Sequence, residues 1–412
     1  MTLKGRIFQG KTLAILTGGG DTPSMNASIE AVKCRASVLG YKVYGVRKGW
    51  RGLLGDGDIV DISNQPYDGW YGGTALRTTR TNPFPTDKNP ISRVEEIVRN
   101  LKRYRIDVLI VIGGYDCLDV AKKIVEIYEF PIIAIPNTIE NNIRTSTIHN
   151  YNGQEIETVS CPGFPSGAKG IADFTSRVCT TAESHSRIIV LEMLGKSFGW
   201  LTGAAMMGGA EISLIPEFPV TKNLKASFFE KVTEVYNKIK KKYLVIAVGE
   251  GTKWFDDKSE TLVLCKQSEE TDEFNNIRYG GISSLIAEEI ERNTGIQARA
   301  QQTAYFSRSG DCRKYDKRLC GLFADKMIDV LLREEYGTLI VVKKLSTYQE
   351  IEEYNMGTIP LSSLEQFNVP MHYYDQDNFH FNEKYYDFIS YYAERPKGIY
   401  FNYNFPKVSP KL

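Results

Sequence analysis

Apolar residues follow two rhythms along this chain, and the rhythms alternate. Thr12 to Thr17, Lys42 to Val46, Asp107 to Ile112 and Pro131 to Ile135 are short runs rich in Val, Ile and Leu with no polar face, the mark of strands buried on both sides. Elsewhere apolar positions return every three or four residues. Ile91, Val94, Ile97, Val98 and Leu101 predict one helix, and Ser24 to Leu39 predicts another, with Pro23 at its entrance and Gly40 past its end. A glycine-rich bridge, Tyr151 to Gly170, opens a second cycle. It holds a helix from Ile171 to Ser184 and a strand from Arg187 to Glu192. A long helix follows, faced by Phe228, Val232, Val235, Tyr236 and Ile239, and then a strand from Tyr243 to Val248. The pattern predicts an α/β protein with two Rossmann-like lobes of similar size, mainly parallel sheets and a cleft between them.

Residues 1–155 are expected to form the first lobe, completed by about 310–345, and 156–309 the second. Residues 252–278, with the polar stretches WFDDKSE and KQSEETDE, read as a surface insertion. The segment 346–412 is rich in Tyr, Phe and Asn without a period, and the sequence gives it no role.

The length of 412 residues fits two domains, because single cores stop growing near about 250–300 residues. With 51 basic and 50 acidic side chains the net charge is +1, which argues against nucleic acid or an anionic membrane as the main partner. Seven cysteines are scattered without CxxC spacing, so metal clusters and a disulfide framework are not expected and a reducing compartment fits. No apolar run approaches the roughly 20 residues of a membrane helix, and the opening Met1 to Arg6 lacks a signal-peptide core. Ser409-Pro410-Lys411-Leu412 misses a peroxisomal address through Pro410. A cytoplasmic protein is expected. None of His149, His185, His372 and His380 has ligand spacing, so no histidine metal site is expected, and His185 more simply orients a strand end. Cys117 reads as a small buried residue, and Lys238 to Lys242 as a solvated helix end.

Ligands of such sheets sit at the carboxyl ends of the strands, so the loops there carry the chemistry. Thr17-Gly18-Gly19-Gly20-Asp21 follows the first strand, where glycine lets backbone N–H groups approach phosphate oxygens. It matches neither a Walker loop nor GxGxxG, which removes the fingerprint of a dinucleotide dehydrogenase. Gly72 to Phe84 concentrates hydroxyls and arginines; Gly113-Gly114-Tyr115-Asp116-Cys117 and Pro136 to Ile143 end two further strands.

In this order the loops resemble the phosphofructokinase family. Its LTxGGDxPxMNAxI is matched by LTGGGDTPSMNASI, and its GGTxLxxxR by GGTALRTTR ending at Arg80. Ser184-His185-Ser186-Arg187 resembles SxHxR, Glu192 to Lys196 stands for E-x-M-G-R, and Glu250 lies in AVGEG. The resemblance covers about Thr12 to Val342.

It implies phosphoryl transfer from ATP or pyrophosphate to the 1-hydroxyl of fructose 6-phosphate or a similar sugar phosphate, with Mg²⁺ as cofactor, in an active-site cleft. By the same resemblance Gly19, Gly20, Asp21, Arg80, Gly114 and Asp116 hold the donor. Thr138, Arg187, Leu194, Gly195, Lys196, Glu250, Arg299, Tyr305 and Arg308 hold the sugar phosphate, with Tyr305 where bacterial members usually have His. Arg187 and Arg299 correspond to residues that reach in from a neighbouring subunit, which implies a homodimer or homotetramer.

The sequence departs from the family on the donor side. T-I-D-N-D is Thr138-Ile139-Glu140-Asn141-Asn142 here, so Glu140 stands at the base, with Arg80 and Thr138 beside it as catalytic candidates. The usual metal-side positions are Tyr115 and Asn142, which leaves Asp116 or Asp21 as candidate metal ligands. Asp116, where ATP users have Gly, and the segment RTNPF lean to pyrophosphate; Asn137, where pyrophosphate users have Lys, points the other way. Glu30 and Cys34 replace the first-helix arginines of an allosteric site, so regulation there is not expected. Two hypotheses stand: an active phosphotransferase, or a sugar-phosphate-binding paralogue with impaired catalysis that serves as a regulatory subunit.

Overall fold

The structure, a computed structural model, describes residues 8–238, 242–348 and 351–393. Strand β1 (Thr12–Gly18) runs into helix α1 (Met25–Val38), β2 (Lys42–Val46) and β3 (Ile59–Asp61). Helix α2 (Val94–Arg103), β4 (Val108–Gly113), α3 (Tyr115–Tyr128) and β5 (Ile132–Pro136) follow. A hairpin of β6 (Thr147–Tyr151) and β7 (Gln154–Thr158) precedes the crossing to the second lobe. That lobe contains α4 (Phe164–Ser184), β8 (Ile188–Met193), α5 (Trp200–Met207), β9 (Ile212–Leu214) and α6 (Lys222–Lys238). It continues through β10 (Leu244–Gly249), β11 (Lys253–Asp256), β12 (Thr261–Leu264), β13 (Lys266–Ser268) and β14 (Arg278–Tyr279) to α7 (Ile282–Thr294) and β15 (Ala298–Gln302). Helix α8 (Lys314–Arg333) and β16 (Thr338–Tyr348) return to the first lobe. The chain then forms β17 (Ile351–Pro360), β18 (Tyr374–Asp375), β19 (His380–Phe381) and α9 (Glu383–Ser390).

The first sheet has nine strands, in the order β3-β2-β1-β4-β5-β16-β6-β7 with β17 on β16; the second has four, in the order β15-β8-β10-β9. The sheets are therefore unequal in strand number, because β6, β7, β16 and β17 all join the first. The central ladders are parallel, with β1 beside β2 and β4, and β8 beside β10 and β15.

Strand alternation explains the layers. Ala14 and Leu16 belong to one apolar cluster with α2 and α3, whereas Leu13 and Ile15 belong to another with α1 and α8. Successive side chains of a strand point to opposite faces, so a continuous apolar run demands helices on both. The second sheet repeats this: Ile188 and Val190 pack with α6 and α7, and Ile189 and Leu191 with α4 and α5.

Several element boundaries move from their expected places. Within the bridge, Asn152 and Gly153 both take positive φ (50° and 81°) and turn β6 into β7, the conformation an Asn-Gly hairpin turn needs. Helix α4 starts at Phe164, not Ile171, because Asp316 of α8 accepts the Gly163 and Ser166 backbone N–H groups at 2.8 and 2.7 Å and satisfies the helix entrance. Ile91 lies outside α2 and is 69% exposed, since Asn89 accepts its backbone N–H in a turn at Pro90. Ile239 and the middle of the Lys238 to Lys242 run lie outside the described residues, as do both chain termini.

Residues 367–393 of the extension, featureless in sequence, are an aromatic cover for the second lobe, whereas β17 lies on β16 in the first sheet. Tyr373, Tyr385, Phe388 and Tyr392 join the cluster of α4 and α5, and the Trp200 ring lies 5.8 Å from those of Tyr373 and Phe388. Gly203 in α5 permits this contact; a Cβ there would sit 2.5 Å from the Tyr385 ring.

Glu217 pins the same extension: its Oε1 accepts backbone N–H groups of Gly199, ahead of α5, and Val369, both at 3.0 Å. Burial pushes its carboxyl up to about 7, and Oε2 has no hydrogen-bond partner among the described residues. A carboxyl raised by folding contributes stability below its unfolded pKa and loses it as pH climbs through the folded value. Glu211, raised to about 7, and Asp316, raised to about 6, act in the same direction. The melting temperature is therefore expected to fall between pH 5 and pH 8, and Glu217→Gln, which keeps the acceptor, to flatten that fall. Melting curves across this range check it, and an unaltered slope would mean that Glu217 is ionised throughout.

Candidate active site

The carboxyl ends of β1 and β4 lie so close that only glycine fits. A Cβ on Gly18 would stand 2.4 Å from the Cys117 Sγ, and one on Gly113 2.4 Å from the Gly18 carbonyl oxygen. Gly19 then turns with φ +88°, and the Thr78 hydroxyl donates to its carbonyl oxygen at 2.8 Å. This holds the arginine-bearing loop beside the glycine loop. Gly114 precedes α3, so the positive end of that helix opens into the same space. Cys117 is buried, and its thiol is pushed up to about 12, which suits a packing residue.

Between the two sheets lies a polar cleft. Gly19, Gly20, Asp21, Arg80, Gly114, Asp116, Thr138 and Glu140 line it from the first lobe. Leu194, Gly195, Lys196, Glu250 and Arg308 line it from the second. An adjoining cavity of about 860 Å³ shares Arg80, Lys196, Glu250 and Arg308 and adds Tyr305, which is 68% exposed. Arg187 and Arg299 line neither cavity. Arg299 is tied to Glu291 at 2.8 Å, and the buried Arg187 Nε has no hydrogen-bond partner among the described residues.

Charges alternate across the cleft. The Lys196 ammonium stands 3.4 Å from Asp116 Oδ2 and 3.6 Å from Glu140 Oε1. Burial works against its charge, but Glu140 and then Asp116 outweigh burial and raise its pKa above the usual lysine value. Glu140 receives the Asn142 side-chain amide on Oε2 at 3.1 Å and gives its own backbone N–H to Thr138 Oγ1 at 3.0 Å. Arg308 pairs with Asp21 and lies 5.2 Å from the centre of the Tyr305 ring.

Lys196 reaches this position through a strained turn. Gly195 has φ +155° and Lys196 φ +51°, and Glu250 Oε1 fixes both backbone N–H groups at 3.1 and 2.8 Å. Burial raises the Glu250 pKa against those two hydrogen bonds. Glu192, in the same motif, instead caps α7, accepting the Ser283 backbone N–H at 3.0 Å and its hydroxyl at 2.8 Å.

No group of three or more His, Cys, Asp and Glu among the described residues could hold a metal ion. Mg²⁺ does not need one, since it commonly takes one or two carboxylates plus phosphate oxygens. Asp116 fits that lesser role: Asn276 and Lys196 both address its Oδ2, and Oδ1 faces neither. Tyr115 and Asn142 offer no carboxylate.

Sequence reading missed two site residues. Asp272 pairs with Arg80 at 3.0 Å, and Asn276 donates to Asp116 Oδ2 at 2.8 Å. Both come from the segment read as a surface insertion, whose Trp254 is also buried. Their only local signal is the Asp272-x-x-x-Asn276 spacing of a side-chain-capped turn.

The phosphofructokinase family model matches residues 12–331. The pyrophosphate–fructose 6-phosphate 1-phosphotransferase of Dictyoglomus thermophilum is 33% identical over 344 residues, covering 80% of this chain and 89% of that protein. The ATP-dependent 6-phosphofructokinase of Chloroflexus aggregans is 30% identical over 341 residues, covering 80% and 87%. The crystal structure of a pyrophosphate-dependent phosphofructokinase from Marinobacter aquaeolei has the same fold, with a TM-score of 0.74 at 19% identity over 98% of each chain.

The tight crossing of the glycine loops is testable without any ligand. Gly18→Ala is expected to destabilise the chain by about 1–3 kcal/mol, the usual range for overpacking. Adding Cys117→Ala, which removes the opposing sulfur, should recover part of the loss. Denaturant unfolding of the single and double variants measures both, and equal stabilities would refute the crowding.

Proposed function

The chain belongs to the phosphofructokinase family, and on that premise we propose that it transfers a phosphoryl group from pyrophosphate to the 1-hydroxyl of fructose 6-phosphate. The observation that carries this reading is Glu140, a carboxylate in a cleft with three cations, Arg80, Lys196 and Arg308. Glu140 takes the proton of the attacking hydroxyl, with Asn142 and Thr138 holding its orientation. Arg80 and Lys196 spread the charge of the moving phosphoryl group. Glu250, Leu194, Gly195, Tyr305 and Arg308 embrace the sugar phosphate.

The first lobe takes the donor on Gly19, Gly20, Asp21, Gly114 and Asp116, and the second takes the sugar. Asp116 would hold Mg²⁺, which would supply neutralisation of the donor's charge. Arg187 and Arg299, away from their own cleft, serve that of a neighbouring copy in a homodimer or homotetramer. No helix of the described residues is long and apolar enough to cross a membrane, in keeping with work on small metabolites in the cytoplasm. Asp116 favours pyrophosphate over ATP by filling the space that a nucleotide needs.

Purified protein with fructose 6-phosphate and Mg²⁺, offered pyrophosphate and ATP in turn, is expected to turn over faster with pyrophosphate. Glu140→Gln should lower kcat by about 10²–10⁴-fold, the usual worth of a general base, while sugar-phosphate binding stays near its original strength. Asp116→Gly should improve the use of ATP relative to pyrophosphate. Binding of fructose 6-phosphate without turnover on either donor would instead make the chain a sugar-phosphate-binding paralogue.

A further inference from the structure

The segment 271–276 leaves the second lobe and lies on the first. Lys88 donates to the Thr271 carbonyl oxygen, and the Asn82 backbone N–H to Glu273 Oε2 at 2.8 Å. Phe274 packs with Phe84 against the first-lobe core. At its two ends the segment touches the two donor-side charges: Arg80 Nη1 meets Asp272 Oδ2 at 3.0 Å, and Asn276 meets Asp116 Oδ2 at 2.8 Å.

Asp272 is the hub. Its Oδ1 accepts the backbone N–H groups of Phe274 and Asn276, each at 2.9 Å, and the Asn276 side-chain amide contacts both of its oxygens at 3.1 and 3.0 Å. Burial opposes its charge, but these hydrogen bonds and Arg80 outweigh burial and hold the carboxyl below its usual range. A carboxylate fixed in this way is a rigid support for a flexible arginine. It engages one guanidinium nitrogen, and a guanidinium has five N–H donors, so the rest stay available to a phosphate.

We propose that Asp272 and Asn276 are positioning residues of the donor site, Asp272 aiming Arg80 and Asn276 holding the Asp116 carboxylate against the incoming pyrophosphate. The inference rests on the reading that the donor binds between Arg80 and Asp116. It also gives residues 271–276 of the inserted segment a role, because their ordering on the first lobe sets Arg80 and Asp116. Such supporting contacts usually govern how well the touching residues are placed.

The test uses Asp272→Asn, which keeps the Oδ1 acceptor of the turn and removes the charge facing Arg80, and Asn276→Ala, which removes the amide shared by Asp116 and Asp272 and keeps the charge facing Arg80. Steady-state kinetics should show the KM for pyrophosphate raised about tenfold in each variant, the scale of one charge-assisted hydrogen bond, with the KM for fructose 6-phosphate within about twofold. In an Arg80→Ala background, Asp272→Asn should add no further loss, as coupled residues require.

A mere staple between the lobes would move both KM values together and add its effect to that of Arg80→Ala; either result overturns the inference. Calorimetric titration of pyrophosphate with Mg²⁺ separates this outcome from failure of the functional reading. Should wild type bind pyrophosphate without turning over, weaker binding by the two variants still upholds their positioning role. Equal affinity in wild type and variants, or no binding by wild type, overturns it.

Discussion

Two mainly parallel sheets face each other across a narrow cleft, and its ion pairs join side chains of opposite lobes. Lys196 stands between Asp116 and Glu140, Arg308 reaches Asp21, and Asp272 reaches Arg80. Two unit charges 4 Å apart interact by about 4 kcal/mol at the effective dielectric near a protein surface, whereas a buried charge stripped of its partner costs several kcal/mol. The alternation of sign across the cleft therefore keeps these partly exposed charges paired where the lobes face each other. The ammonium that stands between two carboxylates is carried on a left-handed backbone turn, whose N–H groups Glu250 accepts.

The same constraint makes sense of the altered loops that follow β4 and β5. The resemblance leads one to expect carboxylates at 115 and 142, where Tyr and Asn stand. An amide at 142 can do what a carboxylate cannot: it donates to Glu140 and fixes the orientation of the longer acid. Asp116 and Asp272 restore negative charge elsewhere, each beside a cation. The substitutions thus redistribute charge within one network, and motif residues read singly show only the losses.

What was legible in the sequence followed local rules. The strands β1, β2, β4 and β5 announce themselves as unbroken apolar runs, and the glycine loops by a spacing that close backbone crossing enforces. The β6–β7 turn was legible too, since Asn152-Gly153 is a hairpin signal, but the glycine-rich surroundings masked it. Other features depend on partners far along the chain. The start of α4 is set by Asp316, 150 positions beyond Ser166, and the fit of the aromatic extension by Gly203 in α5. Asp272 and Asn276 sit in a polar stretch that looks like any solvated loop until the fold carries it onto Arg80 and Asp116.

The two sides of the lobe junction are built from different forces, and this governs what ligands can change. Behind the cleft, Ile139, Ile156 and Leu345 of the first lobe share one buried apolar cluster with Phe164, Trp200 and Phe388. Apolar packing there is indifferent to ligand charge, and each fully buried large side chain contributes about 1.5–3 kcal/mol. At the mouth the lobes meet through ion pairs whose members are partly exposed, and a phosphate can replace a carboxylate on a guanidinium without disturbing the core. On the function proposed above, ligand charge would compete with Asp21 for Arg308 and with Asp116 for Lys196, at contacts outside the apolar junction. A stiff apolar back and an exchangeable ionic front let the cleft accept and release highly charged molecules while the fold stays intact.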